Sequence, residues 1–474
     1  MLSAGTKLSK TARTAACVVL CLAPVIAGGQ QTAQLNAAPV STKLTLPQAR
    51  EIASNALEAG QPKLAYQLAK GLLQADPKSS FAHFVLARAQ GQLGQTGEAR
   101  KSAARTYRFS DIKLHRFEAA ELAARMAYAD KRPTLTQLWL RRAVQNAPDK
   151  KIEAQLARDF GRVRAENPFT FSLRGGVRPS TNVNNGADTA VQTIDGSPIV
   201  GTLSGNAQAL SGLIGHVDAS VKYRLRGTKR SRTAINARIY VQRVALSDGA
   251  RRLAPTTSNG DFGNTFAEVG ATHSFAIGDT GGSGNVAVAL GQYWSGRNPY
   301  YSFARVEAGR KWRLGDQTRF SLRGTYEVRQ SARSSVFDSD VMGLLAGVQH
   351  RLDSGGRINL SLNLRKTDGD FSNTRNLSTT VAARYSFGDQ IGPAKVSAGV
   401  VMGYADYPDF RALFQPSVGR EDKSVYADVN FFFPDIDYAG FAPTVRVRAG
   451  RKFSNISRYD TRELSVSLGI QSKF

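Results

Sequence analysis

The feature that most limits the fold of this chain is an alternation of apolar and polar residues that runs from Phe169 to the C-terminus. In the segment 213–226, one face carries leucine, valine and tyrosine, and the other carries Asp218, Lys222 and Arg226. A period of two places successive side chains on opposite faces of a β-strand. The sequence therefore predicts that the C-terminal part of the chain is all-β.

The length of the alternating region distinguishes two kinds of β protein. A soluble sandwich also alternates, but it completes its shared apolar interior within about 100–150 residues. Here the alternation lasts for about 300 residues, which an apolar exterior facing lipid and a polar interior facing water explains better. No stretch after residue 29 reaches the roughly 18 apolar residues of a membrane-spanning helix. We therefore expect an outer-membrane β-barrel over residues 166–474.

The barrel is predicted to have fourteen antiparallel strands. Outer-membrane barrels have an even number of strands, with short periplasmic turns and long external loops. Gly315-Asp316 is a candidate short turn, and 179–208 is a candidate long loop directly after the first strand. The last strand ends at Phe474, which resembles the signal that the barrel assembly machinery recognises. The strands are centred near residues 173, 218, 238, 269, 290, 308, 323, 345, 361, 382, 399, 428, 446 and 467.

The N-terminus predicts the compartment. Basic residues precede an apolar run at 15–27 that ends in small residues, so residues 1–29 are interpreted as a secretory signal peptide. A lipoprotein signal fits poorly, because Leu20 precedes Cys21 at the position where lipoprotein processing requires a small side chain. Both cysteines, Cys17 and Cys21, lie in this segment, so we expect the mature chain to have no disulfide and no reactive thiol.

Residues 30–165 are predicted to form a periplasmic helical-repeat domain. Apolar residues recur there at spacings of three and four, and Pro and Gly divide the segment into six or seven helices. Gly60-Gln61 is echoed by Gly94-Gln95 after 34 residues, the period of tetratricopeptide repeats, and a weaker echo follows near 128–133. Such solenoids offer a concave surface to a partner; the alternative is that the domain is a spacer or folding aid.

Charge and motifs exclude several classes of function. The chain has 63 Lys and Arg against 37 Asp and Glu, but this charge of +26 is spread along the chain and forms no continuous basic helix. Nucleic acid is therefore not expected as a partner. There is no P-loop or nucleophile elbow, so neither an enzyme nor a cofactor is expected. No metal site is expected either, because metal-ligand spacing is lacking among the histidines, His83, His115, His216, His273 and His350.

The alternating region contains several distinctive short motifs. They occupy 404–409, 419–422, 440–443, Ser454-Asn455-Ile456 and Arg458-Tyr459-Asp460, together with the terminal Phe474. With 176–184, which holds an Asn-x-Asn segment, they resemble the surface lipoprotein assembly modulator (Slam) family. The resemblance covers residues 45–474 and departs from the family at Thr181, where a serine is common.

This resemblance implies a function. It implies an outer-membrane translocon that exports client proteins, either surface lipoproteins or soluble secreted proteins, which periplasmic chaperones could deliver. The motif residues then line or gate a conduit; the alternative is that they order turns and loops, because Asn and Asp readily hydrogen-bond their own backbone. These residues are Asn182, Asn184, Ser454, Asn455, Tyr459 and Asp460.

Two other functions would suit the same barrel: an anion-selective diffusion porin with a periplasmic repeat domain, and a binding or structural barrel. The helical domain favours export, since a diffusion pore needs no surface that gathers a client. Lumen-facing arginines would instead favour the porin, because a ring of positive charge selects anions. The predicted lumen arginines are Arg224, Arg226, Arg238, Arg305, Arg319, Arg323, Arg357, Arg384, Arg446 and Arg448.

Overall fold

The computed structural model describes residues 44–194, 201–279, 281–412, 416, 418–436, 438 and 441–472. The predicted signal peptide at 1–29, Gly440 of the motif at 440–443 and the terminal Phe474 lie outside the described residues.

Helices occupy residues 46–166. Apolar residues at a period near 3.6 give α1, α2, α4, α6 and α7 one apolar stripe each, whereas α3 and α5 are buried on more than one side. From α2 onward each helix packs against the next. Small side chains allow this close approach: Ala65, Ala69, Ala89 and Ala103 are fully buried. The helices are α1 Leu46–Glu58, α2 Pro62–Ala75, α3 Ser80–Gln92, α4 Thr96–Phe109, α5 Lys113–Ala129, α6 Pro133–Gln145 and α7 Lys150–Glu166.

The first helix of each repeat ends in the same way. Gly60, Gly94 and Lys131 follow α1, α3 and α5 with positive φ angles of 67°, 75° and 56°. A left-handed residue followed by a hydrogen bond to the carbonyl five residues earlier is the Schellman helix end. Three such ends confirm the tetratricopeptide-like repeat, including its weaker third copy. The hydrogen bonds run from the N–H groups of Gln61 to Ala56 (2.8 Å), Gln95 to Gln90 (2.8 Å) and Arg132 to Ala127 (3.0 Å).

Fourteen antiparallel strands form a closed barrel after the helices, as the sequence predicts, and every predicted centre lies inside one strand. Each strand pairs with its neighbours in the chain, and β1 pairs with β14 to close the sheet. The strands are β1 Phe169–Ser180, β2 Gly212–Gly227, β3 Ser231–Leu246, β4 Asn264–Ile277, β5 Gly282–Ser295, β6 Asn298–Leu314, β7 Thr318–Ser331, β8 Ser339–Arg351, β9 Arg357–Gly369, β10 Asn376–Ser386, β11 Lys395–Tyr407, β12 Arg420–Phe432, β13 Phe441–Ser454 and β14 Thr461–Ser472.

The outer face of the barrel is apolar. Large apolar side chains such as Leu290, Met402 and Leu464 are about 60% exposed on it (62%, 58% and 61%). Exposing such a continuous apolar surface to water would cost much free energy, whereas a barrel in a lipid bilayer needs an apolar outer face. The barrel is therefore embedded in a membrane, and this architecture fits the outer membrane. None of the described helices is long and apolar enough to cross a membrane.

The two ends of the barrel differ. The first strand starts at one end, beside the helices, which we call the repeat end; the opposite end is the loop end. The three longest connections, 181–211, 247–263 and 408–419, all lie at the loop end. The predicted loops at 330–338, 366–376 and 450–460 are shorter than expected, because the strands extend further, to Ser331, Gly369 and Ser454.

The connection between β5 and β6 is a tight turn at the loop end. Only Gly296 and Arg297 join these strands, and both have positive φ angles, of 57° and 70°. Two consecutive residues in this region form the hairpin turn whose twist matches that of the flanking strands. The wall of the barrel is consequently low here, beside the taller connections at 247–263 and 332–338.

We predict that the loop end faces the outside of the cell. In the variant Val336→Cys the thiol lies in the connection 332–338, where the side chain is 50% exposed, and an impermeant maleimide should label it on intact cells. Asp316→Cys, in the turn at the repeat end with a side chain 92% exposed, should react only after the outer membrane is permeabilised. Labelling of Asp316→Cys but not of Val336→Cys on intact cells would reverse the orientation.

Candidate functional site

Two motif asparagines fold the 181–211 connection back on itself. Asn182 donates to the carbonyl of Gly186 (2.7 Å) and accepts from its N–H (2.8 Å). Asn184 donates to the carbonyls of Asn206 (3.0 Å) and Gln208 (2.7 Å) and accepts from the N–H of Leu210 (2.9 Å). Both side chains therefore use their amide groups on the backbone of their own connection.

The second motif joins the last connection to β12. Asn455 donates to the carbonyl of Gly419 (3.0 Å) and accepts from the N–H of Glu421 (2.8 Å). The hydroxyl of Ser454 accepts from the N–H of Ile456 (3.2 Å), and the N–H of Ser454 donates to the carboxylate of Asp460 (2.6 Å). Burial raises the pKa of Asp460, and this hydrogen bond from Ser454 opposes that change. The connection 455–460 is thus closely tied to its neighbours.

Tyr459 covers Arg420, a buried arginine of the motif at 419–422 that was not among the predicted site residues. The Arg420 guanidinium carbon lies 3.4 Å from the centroid of the Tyr459 ring, 4.2 Å from that of Tyr407 and 5.6 Å from that of Phe410. Its nitrogens also donate to both carboxylate oxygens of Asp422, at 3.0 and 2.5 Å. Cation–π contacts and a bidentate carboxylate together satisfy this buried charge. The sequence signal for this pair was the spacing of two residues between Arg420 and Asp422, which places both side chains on the same face of β12.

The 181–211 connection is fastened to 455–460. The N–H of Asp188 donates to the carbonyl of Asp460 (3.1 Å), and the hydroxyl of Ser457 accepts from the N–H of Thr193 (2.8 Å). Ile194 and Ile456 pack together with Phe410, and both isoleucines are almost fully buried. We call these contacts the loop seam.

The same connection is fastened on its other side to β2 and β3. Val183 and Leu210 pack against Ile214 and Val244, and Leu210 is completely buried. Ile214 shares the strand face of Asp218, and Val244 shares that of Arg238, and these charged residues pair with each other in the lumen. The 181–211 connection therefore bends inward over the part of the barrel mouth that lies between β11 and β3.

Six of the ten predicted lumen arginines form ion pairs with carboxylates that lie one or two strands away in the sheet. Asp428, whose side chain is 4% exposed, binds both Arg384 (2.8 Å) and Arg446 (2.7 Å). Such cross-strand pairs hold the arginines against the wall and reduce the net charge of the lumen. The remaining pairs are Asp218–Arg238 (2.8 Å), Glu327–Arg305 (3.3 Å), Glu268–Arg305, Glu307–Arg323 (3.4 Å) and Glu463–Arg448 (3.6 Å).

The other predicted lumen arginines behave differently. Arg224 donates to the carbonyls of Ala165 (3.0 Å) and Glu166 (2.6 Å) at the end of α7. Arg226, Arg319 and Arg357 have no ion-pair partner among the described residues. The alternation places arginines on the lumen face, but their carboxylate partners depend on which residues stand opposite in the neighbouring strand.

The histidines do not form a common site. His273 and His350 each contact a threonine hydroxyl at 2.8 Å, whereas His83 lies in α3, where burial lowers its pKa. No group of three or more His, Cys, Asp or Glu side chains in the described part of the chain could hold a metal ion.

Comparison with known proteins gives structural likenesses only. No protein-family model and no curated protein matches the chain. Among solved structures it is similar to an outer membrane channel from Pseudomonas putida F1, at 12% identity and a TM-score of 0.34, over 64% of this chain and 94% of the channel. It is also similar to a bacterial polysaccharide outer membrane secretin, at 8% identity and a TM-score of 0.33, over 64% and 98% of the two chains. A type III secretion translocator chaperone of Yersinia enterocolitica matches 26% of the chain and 88% of its own length, at 17% identity and a TM-score of 0.24.

We predict that Asn184→Ala loosens the 181–211 connection. The substitution leaves two carbonyls and one N–H without their partner, and each buried group so affected costs about 1–3 kcal/mol. Proteinase K added to intact cells should cut this connection faster than in the parent protein. Asn206→Ala, which removes only a local contact with Ser204, is the matched control. Equal cleavage of all three proteins would contradict the assigned role of Asn184.

Proposed function

We propose that this protein is an outer-membrane translocon that exports client proteins to the cell surface, as its resemblance to the surface lipoprotein assembly modulator family implies. The helical repeats collect a client in the periplasm, either directly or from periplasmic chaperones, and the barrel passes it outward. The client is a surface lipoprotein or a soluble secreted protein. The barrel assembly machinery inserts the barrel into the membrane.

The short, hydrogen-bonded joint between the helical repeats and the barrel is the main support for this proposal. Helix α7 ends at Glu166 and β1 starts at Phe169, so only two residues separate them. Arg224 in β2 caps the end of α7 by donating to its last carbonyls, a favourable place for a cation. The end of α7 is therefore joined to the barrel both through the chain itself and through hydrogen bonds from the Arg224 guanidinium.

A second contact lies on α6. The Arg141 guanidinium donates to the hydroxyl of Ser472 in β14 (3.2 Å) and stacks on the rings of Phe160 and Phe441, with centroid distances of 5.2 and 5.4 Å. Burial lowers the pKa of Arg141, which nevertheless remains charged at neutral pH. Arg141 therefore links α6 and α7 to the last two strands of the barrel, β13 and β14.

Such a joint favours export over diffusion. A solenoid held at the barrel mouth raises the concentration of a bound client beside the lumen, to about the millimolar range for a short connection. A diffusion pore gains nothing from that arrangement. The carboxylates that neutralise six of the ten predicted lumen arginines also count against strong anion selectivity.

We predict that loosening this joint lowers export without unfolding the barrel. The double variant Arg141→Ala and Arg224→Ala removes both side-chain contacts, so it should retain heat-modifiable mobility on gels while the amount of client at the cell surface falls several-fold. The matched control is the double variant Arg125→Ala and Arg158→Ala. Both arginines are exposed, and each pairs with a side chain of its own helix. Mass spectrometry of proteins shaved from intact cells identifies the client and measures its amount in the same experiment.

A strain without the gene provides the decisive comparison. The proposal requires that at least one surface or secreted protein be lost in that strain and restored by the full-length protein. A surface proteome identical to that of the parent strain would remove the export function. If the purified protein then showed a large, steady, anion-selective conductance in planar bilayers, the porin would be the better account.

A further inference from the structure

A cavity opens at the loop end, on the side away from the described residues of the 181–211 connection. Its volume is about 430 Å³, within the range of about 300–1,000 Å³ that small-molecule sites occupy. It lies against strands β6 to β11, beside the low wall formed by the tight turn between β5 and β6. We call it the rim cavity.

The rim cavity is strongly basic. Arg329, Arg333 and Arg365 line it, and no carboxylate is present among its described lining residues. Arg329 is paired with Glu327 at 2.6 Å, but Glu327 belongs to the lumen wall and not to the cavity lining. Arg365 has no hydrogen-bond or ion-pair partner among the described residues, although it is only partly exposed. At least one guanidinium is therefore available to an anionic ligand.

Aromatic rings form the second feature of the cavity. Tyr300 and Tyr301 meet edge to face with centroids 5.9 Å apart, and Tyr407 lies across the cavity on β11. Arginines hold these rings in place: the Arg329 guanidinium lies 4.6 Å from the Tyr301 ring, and that of Arg420 lies 4.2 Å from the Tyr407 ring. Such rings combine an apolar face with a hydroxyl group, so they suit a ligand that is ring-shaped and also polar.

The remaining lining is polar. Ser339, Thr367 and Ser378 line the cavity, and among the described residues Phe337 is its one large apolar side chain without a hydroxyl group. Together with the aromatic rings, these residues give the cavity both apolar faces and hydrogen-bonding groups. It suits a ligand with many hydroxyl groups.

We propose that the rim cavity binds an acidic saccharide. The guanidinium of Arg365, with that of Arg333, binds the carboxylate or sulfate of the sugar. The rings of Tyr300 and Tyr407 contact the sugar ring, whereas Tyr301 lies between Tyr293 and Arg329 and supports Tyr300. Hydroxyl-bearing residues of the lining bind the hydroxyls of the sugar. This site is independent of the export function, because it needs neither the helical repeats nor a client. It would let the barrel recognise an acidic glycan outside the cell.

The test is isothermal titration calorimetry of the purified full-length protein in detergent micelles. The probes are digalacturonic acid and a sulfated heparin disaccharide, with neutral digalactose as the comparison. At least one acidic probe should bind, and digalactose should bind at least about tenfold more weakly. Failure of both acidic probes to bind, or equal binding of digalactose, would overturn the proposal.

Two variants locate the site. Arg365→Gln should weaken binding of the acidic probe at least about tenfold, because a hydrogen bond to an ionised partner is much stronger than a neutral one. Arg357→Gln is the matched control: it lies on the same face of the same strand, towards the repeat end, and does not line the cavity. Equal loss in both variants would show a general effect of lumen charge and not a site.

Two further probes define the class of ligand. Sodium sulfate binding as tightly as the acidic disaccharide would reduce the cavity to a simple anion site, and N-acetyl-diglutamate binding as tightly would make it a site for acidic peptides. Either result would contradict the proposal that the ligand is an acidic saccharide. Arg365→Lys keeps the charge and should recover part of the affinity, and unchanged heat-modifiable mobility should show that the variants are folded.

Discussion

The rest of this structure depends on the absence of hydrogen-bonding partners in lipid. Every backbone N–H and C=O group of a strand in the bilayer must be satisfied by another strand, and each failure costs several kcal/mol. The pairing of β1 with β14 meets this demand by removing both sheet edges. At this junction Gly176 faces Gly469, and a side chain on Gly176 would approach the carbonyl oxygen of Leu468 to 2.7 Å. Glycine thus permits the close approach that closure needs.

Closure also decides where charge can be placed. Because the outer face within the bilayer must be apolar, most ionised groups of the strands lie on the lumen face, where carboxylates such as Asp428 and Glu327 bind arginines of nearby strands. The loop end then divides into two parts. One is covered by the 181–211 connection and the loop seam, and the other retains the basic rim cavity. At the repeat end, Arg141 and Arg224 fix the helices to the same closed sheet.

Much of the architecture was predictable because it depends on local periodicity. The period of two predicts the strands and their lumen faces, and the spacing between Gly60 and Gly94 predicts the repeat, since a left-handed helix end needs glycine more than any other residue. Lys131 occupies the same position in the third copy, which explains why that copy was a weaker signal.

The contacts of the candidate site were not predictable in the same way. The stacking of Arg420 under Tyr459 joins segments that are 39 residues apart, and the pairing of Arg178 with Glu463 depends on closure of the barrel. Periodicity assigns a residue to a face but not to a neighbour, because the neighbour depends on strand register and on loop packing. The same limit applies to the rim cavity, whose arginines and tyrosines come from four strands and one connection.

If this protein is a translocon, a client passes through the lumen of the barrel, and site-specific photo-crosslinking in living cells can detect that passage. A photoreactive phenylalanine analogue replaces Thr325, which shares the lumen face of Glu327 on β7, or Val288, which faces lipid on β5 and is 56% exposed. The account predicts crosslinks from Thr325, but not from Val288, to a protein that mass spectrometry also finds at the cell surface. Crosslinks to no exported protein from Thr325, or equal crosslinking from both positions, would contradict passage through the lumen.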